Sequence, residues 1–301
     1  MKIVIPIMDF GRAGGERVLS RLATELVNCG CDVYFVALGS AKDIYYQTTA
    51  KILKSKVSNS KNRIVRFIMN NYYLYKKCME LRPDCAIANF HLSAFMVSFL
   101  PRTVGKYYYI QAYETVFYKS LIRRFIAFST YLLPLRKIVN HKNILPKSIN
   151  NYVEIIPAGI DDQVFYSKTN KGERKTIGLV GREEKRKGTS NIIDEIIRWE
   201  NKEDLVLNVA LYLSEEDRLR LEKIKINYNV IEINNDLDLA NFYRLNDLII
   251  ATGLVEDGAF HYPCAEAMSC GCAVISNYAP LTNTNSKLKI ENLIKTLLLI
   301  N

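Results

Sequence analysis

Short apolar runs alternate with amphipathic segments along the chain, and this alternation starts at the amino terminus. The run KIVIPIM at residues 2–8 predicts a strand. In residues 16–30 the apolar positions recur at helical spacing, and Gly30 ends the predicted helix. The run DVYFVAL at residues 32–38 predicts a second strand, so these residues form a βαβ unit with the glycine-rich turn FGRAGG at its first strand-to-helix connection.

The alternation continues in two series. The first series has a predicted helix at 63–81, strands at 85–89 and 106–111, a basic helix at 120–133 and a strand at 137–140. The second series has predicted strands at 176–181, 205–211, 229–234, 247–252 and 273–277, with helices at 189–199, 214–226, 239–245, around Glu266, and at 289–299. Between them the stretch VEIIPAGIDDQVF, with its proline and glycine, indicates a domain boundary.

Strands and helices that alternate at this spacing are typical of parallel sheets with helices on both faces. A chain of 301 residues is longer than a single core usually grows, so we expect two domains. We predict an α/β protein with two Rossmann-like, doubly wound domains, residues 1–157 and residues 158–301. We expect these domains to face each other across a cleft.

Charge distinguishes the two predicted domains. The composition is that of a globular protein, but the net charge of +10 is concentrated in residues 1–157, which carry 23 Lys and Arg against 9 Asp and Glu. Two blocks, residues 44–79 and 115–153, contain no acidic residue at all. Either this is a solvated basic face, or the first domain binds an anionic partner such as a membrane surface, a phosphorylated acceptor or nucleic acid. Motifs that read DNA or RNA are missing beside these blocks, so we expect no nucleic acid partner.

The sequence has no apolar run long enough to span a bilayer, and its first residues predict a strand rather than a signal peptide. We therefore expect a cytoplasmic protein. Seven cysteines, an odd number, fit reduced thiols in that compartment. The pairs Cys29-x-Cys31 and Cys270-x-Cys272 lack the spacing of a zinc site, and we expect buried, inert thiols.

In parallel α/β sheets ligands bind beyond the carboxyl ends of the strands, so residues that directly follow strands are the candidates for a site. Gly14 and Gly15 follow the first strand and allow close approach of the backbone to an anion, or they form a plain tight turn. Arg182 and Lys187 follow the first strand of the second domain. They could neutralise a pyrophosphate, unless they belong to an ordinary charged loop.

Two more stretches qualify. Gln111 and Glu114, in YYIQAYETVFY, follow a strand of the first domain among aromatic residues that suit stacking on sugars or, equally, the edge of a core. His91 follows another strand, where a structural role competes with a role in the site. Glu266 lies in the predicted first turn of a helix that starts at a proline, within EDGAFHYPCAEAMSCGCAVIS.

We expect no metal site. The acidic pair in DLD, residues 236–238, resembles a metal-binding pair of aspartates, but one of its aspartates is better placed to cap the helix that follows. No second acidic or histidine cluster completes a magnesium site.

The ordered stretches GGERV, IPAGID, GREEKRKG and PCAEAMSCGCAVIS resemble the GT-B fold glycosyltransferases of the large retaining family four, over nearly the whole chain. YYIQAYETVFY, followed by STYLLPLRKIV, is similar to a bacterial subset that acts in surface-polysaccharide, often rhamnan-type, synthesis. The resemblance implies an acceptor-side first domain and a second domain that binds a nucleotide-sugar donor. It also implies that Arg182 and Lys187 hold the donor pyrophosphate without a cofactor, and that Glu266, the second glutamate of an E-x7-E motif, binds the ribose hydroxyls.

The sequence departs from this family at three points. The first glutamate of the motif, which contacts the donor sugar, is replaced by Gly258, while Glu256 and Asp257 lie one or two residues earlier. Three interpretations stay open: a re-spaced loop in which Glu256 or Asp257 acts as the catalytic carboxylate, altered sugar binding, or lost activity. His261 replaces a usual small residue near the donor. Gln111 lies where the family often has a histidine.

The expected function is metal-independent, retaining transfer of a hexose or deoxyhexose from a nucleoside-diphosphate sugar to a growing, lipid-linked bacterial glycan. The rival expectation is a catalytically silent subunit that binds a partner transferase or a glycan. Relative to the family we expect the donor domain to be shortened at its end. We also expect the 115–153 block to lie on an anionic membrane surface, through Arg123, Arg124, Arg136, Lys137 and the apolar stretch FIAFSTYLLPL.

Overall fold

A computed structural model describes residues 1–11, 14–157, 159–167, 176–183, 188–199, 204–251 and 261–276. By its internal contacts the chain divides into two compact units, Met1–Ala158 and Gly159–Asn301, called unit 1 and unit 2 below. Each unit is an α/β structure with its own parallel sheet.

Unit 1 has seven described strands and four described α-helices. The strands are β1 (Lys2–Ile7), β2 (Asp32–Ala37), β3 (Lys51–Lys54), β4 (Cys85–Ala88), β5 (Gly105–Ile110), β6 (Arg136–Val139) and β7 (Glu154–Ile155). The helices are α1 (Gly14–Asn28), α2 (Arg63–Glu80), α3 (His91–Ser98) and α4 (Leu121–Ser129). The sheet order is β3-β2-β1-β4-β5-β6-β7, and every pairing is parallel.

Unit 2 repeats this design with fewer strands in its described part. Its strands are β8 (Thr176–Val180), β9 (Val206–Ala210), β10 (Asn227–Ile231), β11 (Leu248–Ile250) and β12 (Ala273–Ile275). Its helices are α5 (Thr189–Arg198), α6 (Glu215–Lys223), α7 (Asp236–Arg244) and α8 (Tyr262–Ser269). The order β10-β9-β8-β11-β12 is again wholly parallel.

Neighbouring residues of β11 show that the sheet of unit 2 is covered on both faces. Leu248 and Ile250 belong to a core shared with α5 and α6, whereas Ile249 belongs to a core shared with α7 and α8. Side chains of a strand alternate between its two faces, so these are two helical layers on opposite sides. The prediction of doubly wound parallel sheets is confirmed.

Some predicted elements differ from the observed ones. The helix predicted to reach residue 133 ends at Ser129, and Thr130–Leu132 form a 3₁₀ turn. Leu133 is extended, with ψ of 151°, because Pro134 disfavours helical backbone in the residue before it. The pattern did not predict β3 or β7, which are exposed edge strands, or α3, a short helix whose polar and apolar residues show no helical periodicity.

Two smaller expectations are wrong. Helix α7 begins at Asp236, and its cap is Asn235, whose side chain accepts a hydrogen bond from the backbone N–H of Asp238 at 2.9 Å. Cys29 is exposed and Cys31 half-buried, while the other five thiols are buried as expected. Cys29 lies in the turn between α1 and β2, outside the core. In the described residues no helix combines the length and apolar character that crossing a bilayer requires.

Candidate functional site

The strand order of unit 2 reverses between β8 and β11, two neighbouring parallel strands. In the sheet, β9 and then β10 lie to one side of β8, whereas β11 and then β12 lie to its other side. Ligands of open α/β sheets bind at such a reversal of strand order. The residues that follow β8 and β11 are therefore the candidates for the site.

The turn after β8 is fixed by backbone contacts. Gly181 donates a hydrogen bond to the Ala210 carbonyl at 3.0 Å, and a Cβ atom at this position would lie only 1.9 Å from the Tyr212 carbonyl oxygen. Because no side chain fits there, glycine is required for the turn to pass so close to β9.

Arg182 is the next residue, and Thr189 at the start of α5 holds its backbone. The Arg182 N–H donates to the Thr189 hydroxyl at 2.8 Å, and that hydroxyl donates to the Arg182 carbonyl at 2.9 Å. Arg182 is exposed, and its backbone lies at the amino-terminal end of α5. A guanidinium held there can contact an anionic group of a ligand. Sequence reasoning identified Arg182 but missed Thr189.

Lys187, the second predicted cation, lies outside the described residues. The residue after it, Gly188, caps α5 with φ of 71°, a conformation that favours glycine.

Helix α8 carries Glu266, one turn later than predicted. The helix begins at Tyr262, Pro263 occupies its second position, and Glu266 is its fifth residue. The prediction that Glu266 lies in the first turn is wrong, because the cap is His261, two residues before the proline. The His261 carbonyl accepts hydrogen bonds from Cys264 at 3.1 Å and Ala265 at 3.3 Å, and its side chain is half-buried.

Glu266 is a buried carboxylate, with 1% of its surface exposed. Its Oε2 atom accepts a hydrogen bond of 3.2 Å from the hydroxyl of Tyr243, which lies on α7. Burying a carboxylate is costly unless it is hydrogen-bonded. Two carboxylate oxygens can accept hydrogen bonds from neighbouring hydroxyls of one ligand. Sequence reasoning missed Tyr243, because its spacing to Glu266 is set only by the packing of α7 on α8.

Glu256, Asp257 and Gly258 lie outside the described residues. Among the described residues no group of three or more His, Cys, Asp or Glu side chains is arranged to hold a metal ion.

In unit 1 the structure brings two predicted residues together. The Gln111 side chain, just after β5, donates a hydrogen bond to the Gly15 carbonyl at 3.2 Å, and Gly14 beside it is exposed. Asn140, just after β6, donates to the Gln111 carbonyl at 3.2 Å. Asn140 is buried, and its amide oxygen has no hydrogen-bond partner among the described residues. This edge therefore offers amide groups to a polar ligand, although the sequence did not single out Asn140.

Glu114, the other predicted residue of this edge, lies in the interior with 3% of its surface exposed. Its carboxylate accepts hydrogen bonds from the backbone N–H of His91 at 2.8 Å and from the Tyr108 hydroxyl at 2.8 Å, and it lies 2.7 Å from His91 Nδ1. The Tyr131 hydroxyl accepts from the Glu114 N–H at 2.9 Å. Burial raises the pKa of Tyr108 well above its ordinary value. These contacts give Glu114 and His91 a structural role.

No protein-family model matches this sequence, and no curated protein matches it. Solved structures do resemble it. HepE from Anabaena, crystallised with UDP, is 14% identical over 99% of this chain and 90% of its own, with a TM-score of 0.74. Sucrose-phosphate synthase from Thermosynechococcus elongatus is 13% identical over 92% of this chain and 81% of its own, with a TM-score of 0.72.

The lipopolysaccharide outer core galactosyltransferase WaaB, in its apo form, is 16% identical over 92% of this chain and 80% of its own, with a TM-score of 0.67. These similar structures are GT-B glycosyltransferases, so the chain has their α/β fold with two parallel sheets.

Proposed function

We propose that this protein transfers a hexose or deoxyhexose from a nucleoside-diphosphate sugar to a growing bacterial surface glycan, with retention at the anomeric carbon. The observation that carries the proposal is the buried Glu266 carboxylate on α8, the helix that follows β11 at the strand-order reversal of unit 2. The similar HepE structures with UDP and UDP-glucose support a nucleotide-sugar donor.

In such a transfer the bond between the anomeric carbon and the diphosphate breaks, and an acceptor hydroxyl takes the sugar and gives up its proton. Negative charge develops on the departing diphosphate. Arg182 and Lys187 would stabilise that charge, so no metal or cofactor is required. Glu266 would accept hydrogen bonds from the ribose hydroxyls, with His261, the cap of the same helix, near the donor.

The acceptor side is assigned to unit 1. Gln111 would contact the acceptor, whereas the buried Glu114 would act only by positioning its neighbours. The basic charge of this unit and the name of the similar WaaB support a lipid-linked or membrane-bound glycan at the cytoplasmic face. Membership of family four and of the rhamnan-type subset belongs to the same proposal.

The test is binding of nucleotides followed by transfer. A thermal-shift screen with UDP, dTDP and GDP identifies the base, because a ligand that binds only the folded state raises its melting temperature. We expect Glu266→Gln and Arg182→Ala each to weaken binding of that nucleotide by about 1–3 kcal/mol in calorimetry. Glu222→Gln, an exposed carboxylate of the same unit, is the control. Unchanged affinity in both site variants would disprove the site.

Transfer then separates the open interpretations of the loop before α8. Glu256→Ala or Asp257→Ala should lower turnover and leave binding of the bare nucleotide nearly intact, if one of them replaces the missing glutamate at Gly258. Gly258 itself favours the second candidate, a silent subunit that binds a partner transferase or a glycan. Nucleotide binding without transfer or hydrolysis of any donor would support that candidate.

A further inference from the structure

Two helices of unit 1 begin with nearly the same residues. Written from the cap residue, α2 begins NRIVRFI at 62–68 and α4 begins SLIRRFI at 120–126. With the caps aligned, four positions are identical, namely Ile64 with Ile122, Arg66 with Arg124, Phe67 with Phe125, and Ile68 with Ile126.

The shared segment is exposed in both helices. Every residue of 61–68 and of 119–126 is exposed. Ile64 is 71% exposed and Ile122 is 74% exposed, while the two phenylalanines are 52% and 72% exposed. A helix that packs on a sheet usually buries one apolar stripe along its length. The first fully buried residue is Leu74 in α2 and Ala127 in α4, and none of residues 63–68 or 121–126 belongs to the core.

The two exposed helix starts lie in one layer and at one edge of unit 1. Helix α3 contacts both α2 and α4. Each of these helices follows a strand of the parallel sheet and returns to its amino edge. Their first turns therefore lie near the carboxyl edge, where Gln111 contacts Gly15.

Charge indicates what this surface binds. Arg63 and Arg66 stand among the apolar residues of α2, and Arg123 and Arg124 among those of α4, within blocks that contain no acidic residue. A helix with arginines beside exposed phenylalanine and isoleucine fits the headgroup layer of an anionic bilayer. Two such segments on one body bind more strongly than either alone, because the second binds at high effective concentration.

The structure removes one residue from the surface that the sequence predicted. Lys137 is 5% exposed, and its ammonium group donates to the Tyr131 carbonyl at 2.7 Å and to the Asn151 side chain. It is too deeply buried to contact lipid, so its predicted role at the membrane is wrong. Arg136 lies over the Tyr107 ring, 5.1 Å from its centre.

We propose that the first two turns of α2 and α4 form a two-part surface that docks unit 1 on an anionic lipid bilayer. The phenylalanines and isoleucines enter the boundary between headgroups and acyl chains, and the arginines contact lipid phosphates. Docking in this way holds the carboxyl edge of unit 1 near the lipid. Presentation of a lipid-linked acceptor to that edge rests on the proposed function, but docking itself does not.

Flotation of the full chain with vesicles tests this proposal. The probes are vesicles of phosphatidylcholine alone and of phosphatidylcholine with phosphatidylglycerol. We expect the protein to bind only the anionic vesicles. The variants Arg66→Gln and Arg124→Gln should each bind them about fivefold more weakly than the unaltered protein. Two double variants replace apolar residues of the surface, namely Ile64→Ser with Phe67→Ser in α2 and Ile122→Ser with Phe125→Ser in α4. Each double variant should bind roughly tenfold or more weakly. The control pair is Leu219→Ser with Leu237→Ser in unit 2, 59% and 57% exposed, which should float like the unaltered protein.

Several outcomes would overturn the proposal. The first is that the unaltered protein does not float with anionic vesicles at low salt. The second is equal binding to neutral and anionic vesicles. The third is that the double variant Ile64→Ser with Phe67→Ser binds as strongly as the unaltered protein. A dimer in sedimentation velocity that the serine pairs dissociate would show instead that a second copy covers this surface.

Nucleotide affinity, measured on the same preparations, keeps the two proposals apart. The serine pairs alter exposed residues of unit 1, so they should leave circular dichroism and nucleotide binding unchanged. Docking without nucleotide binding would contradict the proposed function alone. Nucleotide binding without docking would contradict the bilayer surface alone.

Discussion

At the scale of single residues, Glu114 shows how a predicted ligand-binding side chain can instead organise the interior. Its carboxylate joins the start of α3 to β5 through His91 and Tyr108. A carboxylate is tolerated at such depth when donors surround it, and the arrangement depends on its accepting at both oxygens. The same residue type at the surface would contribute little.

We expect Glu114→Gln to lower the free energy of unfolding of unit 1 by about 1–3 kcal/mol, because the amide turns an NH₂ group toward one of the existing donors. Urea unfolding followed by circular dichroism measures this change. Fluorescence of Trp199, the single tryptophan, follows the unfolding of unit 2. The urea midpoint measured by this fluorescence should change less than the midpoint measured by circular dichroism. The control is Glu80→Gln, whose exposed ion pair with Lys77 contributes less than about 1 kcal/mol. Equal stability of the two variants would contradict the role of Glu114.

At the scale of elements, the turn between β8 and α5 positions Arg182. The turn passes so close to β9 that Gly181 has no room for a side chain, and Thr189 then fixes the Arg182 backbone. Local packing of one turn therefore decides where the cation of the candidate site lies.

Substitution of Gly181 by alanine should force this turn away from Tyr212. We expect loss of about 1–3 kcal/mol of stability, seen as an earlier Trp199 transition in urea, together with weaker nucleotide binding. Gly159→Ala is the matched control, because a Cβ atom there meets nothing within 4 Å. A Gly181→Ala variant with unaltered stability and affinity would show that the turn does not depend on this close approach.

At the scale of the whole molecule, every described core cluster lies within one unit. One cluster is confined to unit 1, and the clusters around α5 with α6 and around α7 with α8 are confined to unit 2. Units with separate cores can fold separately.

We predict that residues 1–158 and residues 159–301, expressed as separate chains, each fold cooperatively. The second fragment should bind the nucleotide within roughly tenfold of the affinity of the full chain, since Arg182 and Glu266 both belong to it. Circular dichroism melting and calorimetry measure the two properties. A fragment of residues 1–133, which lacks β6 and β7, is the control and should not fold. Failure of both fragments to fold would contradict the division at residue 158.

The sequence alone determined the layers of this protein. Apolar runs such as residues 2–8 and amphipathic runs such as residues 16–30 follow the periods of strand and helix, so element order and parallel sheets could be predicted from them. Glycines, charged residues and the stretch around Glu266 also predicted candidate sites at the carboxyl edges of the sheets. This was possible because the residues that follow each strand can be identified from the sequence alone.

Tertiary structure alone decided which side chains are buried and what they contact. Glu114 and Gln111 lie three residues apart in one stretch, yet one enters the interior beside His91 and the other meets Gly15 at the edge. Tyr243 reaches Glu266 only through the packing of two helices, and the first turns of α2 and α4 stay uncovered only because no other element packs on them in the described structure. Periodicity identifies an apolar face, but whether that face is buried depends on residues that are distant in the chain. A local sequence pattern does not show which distant residues will pack on it.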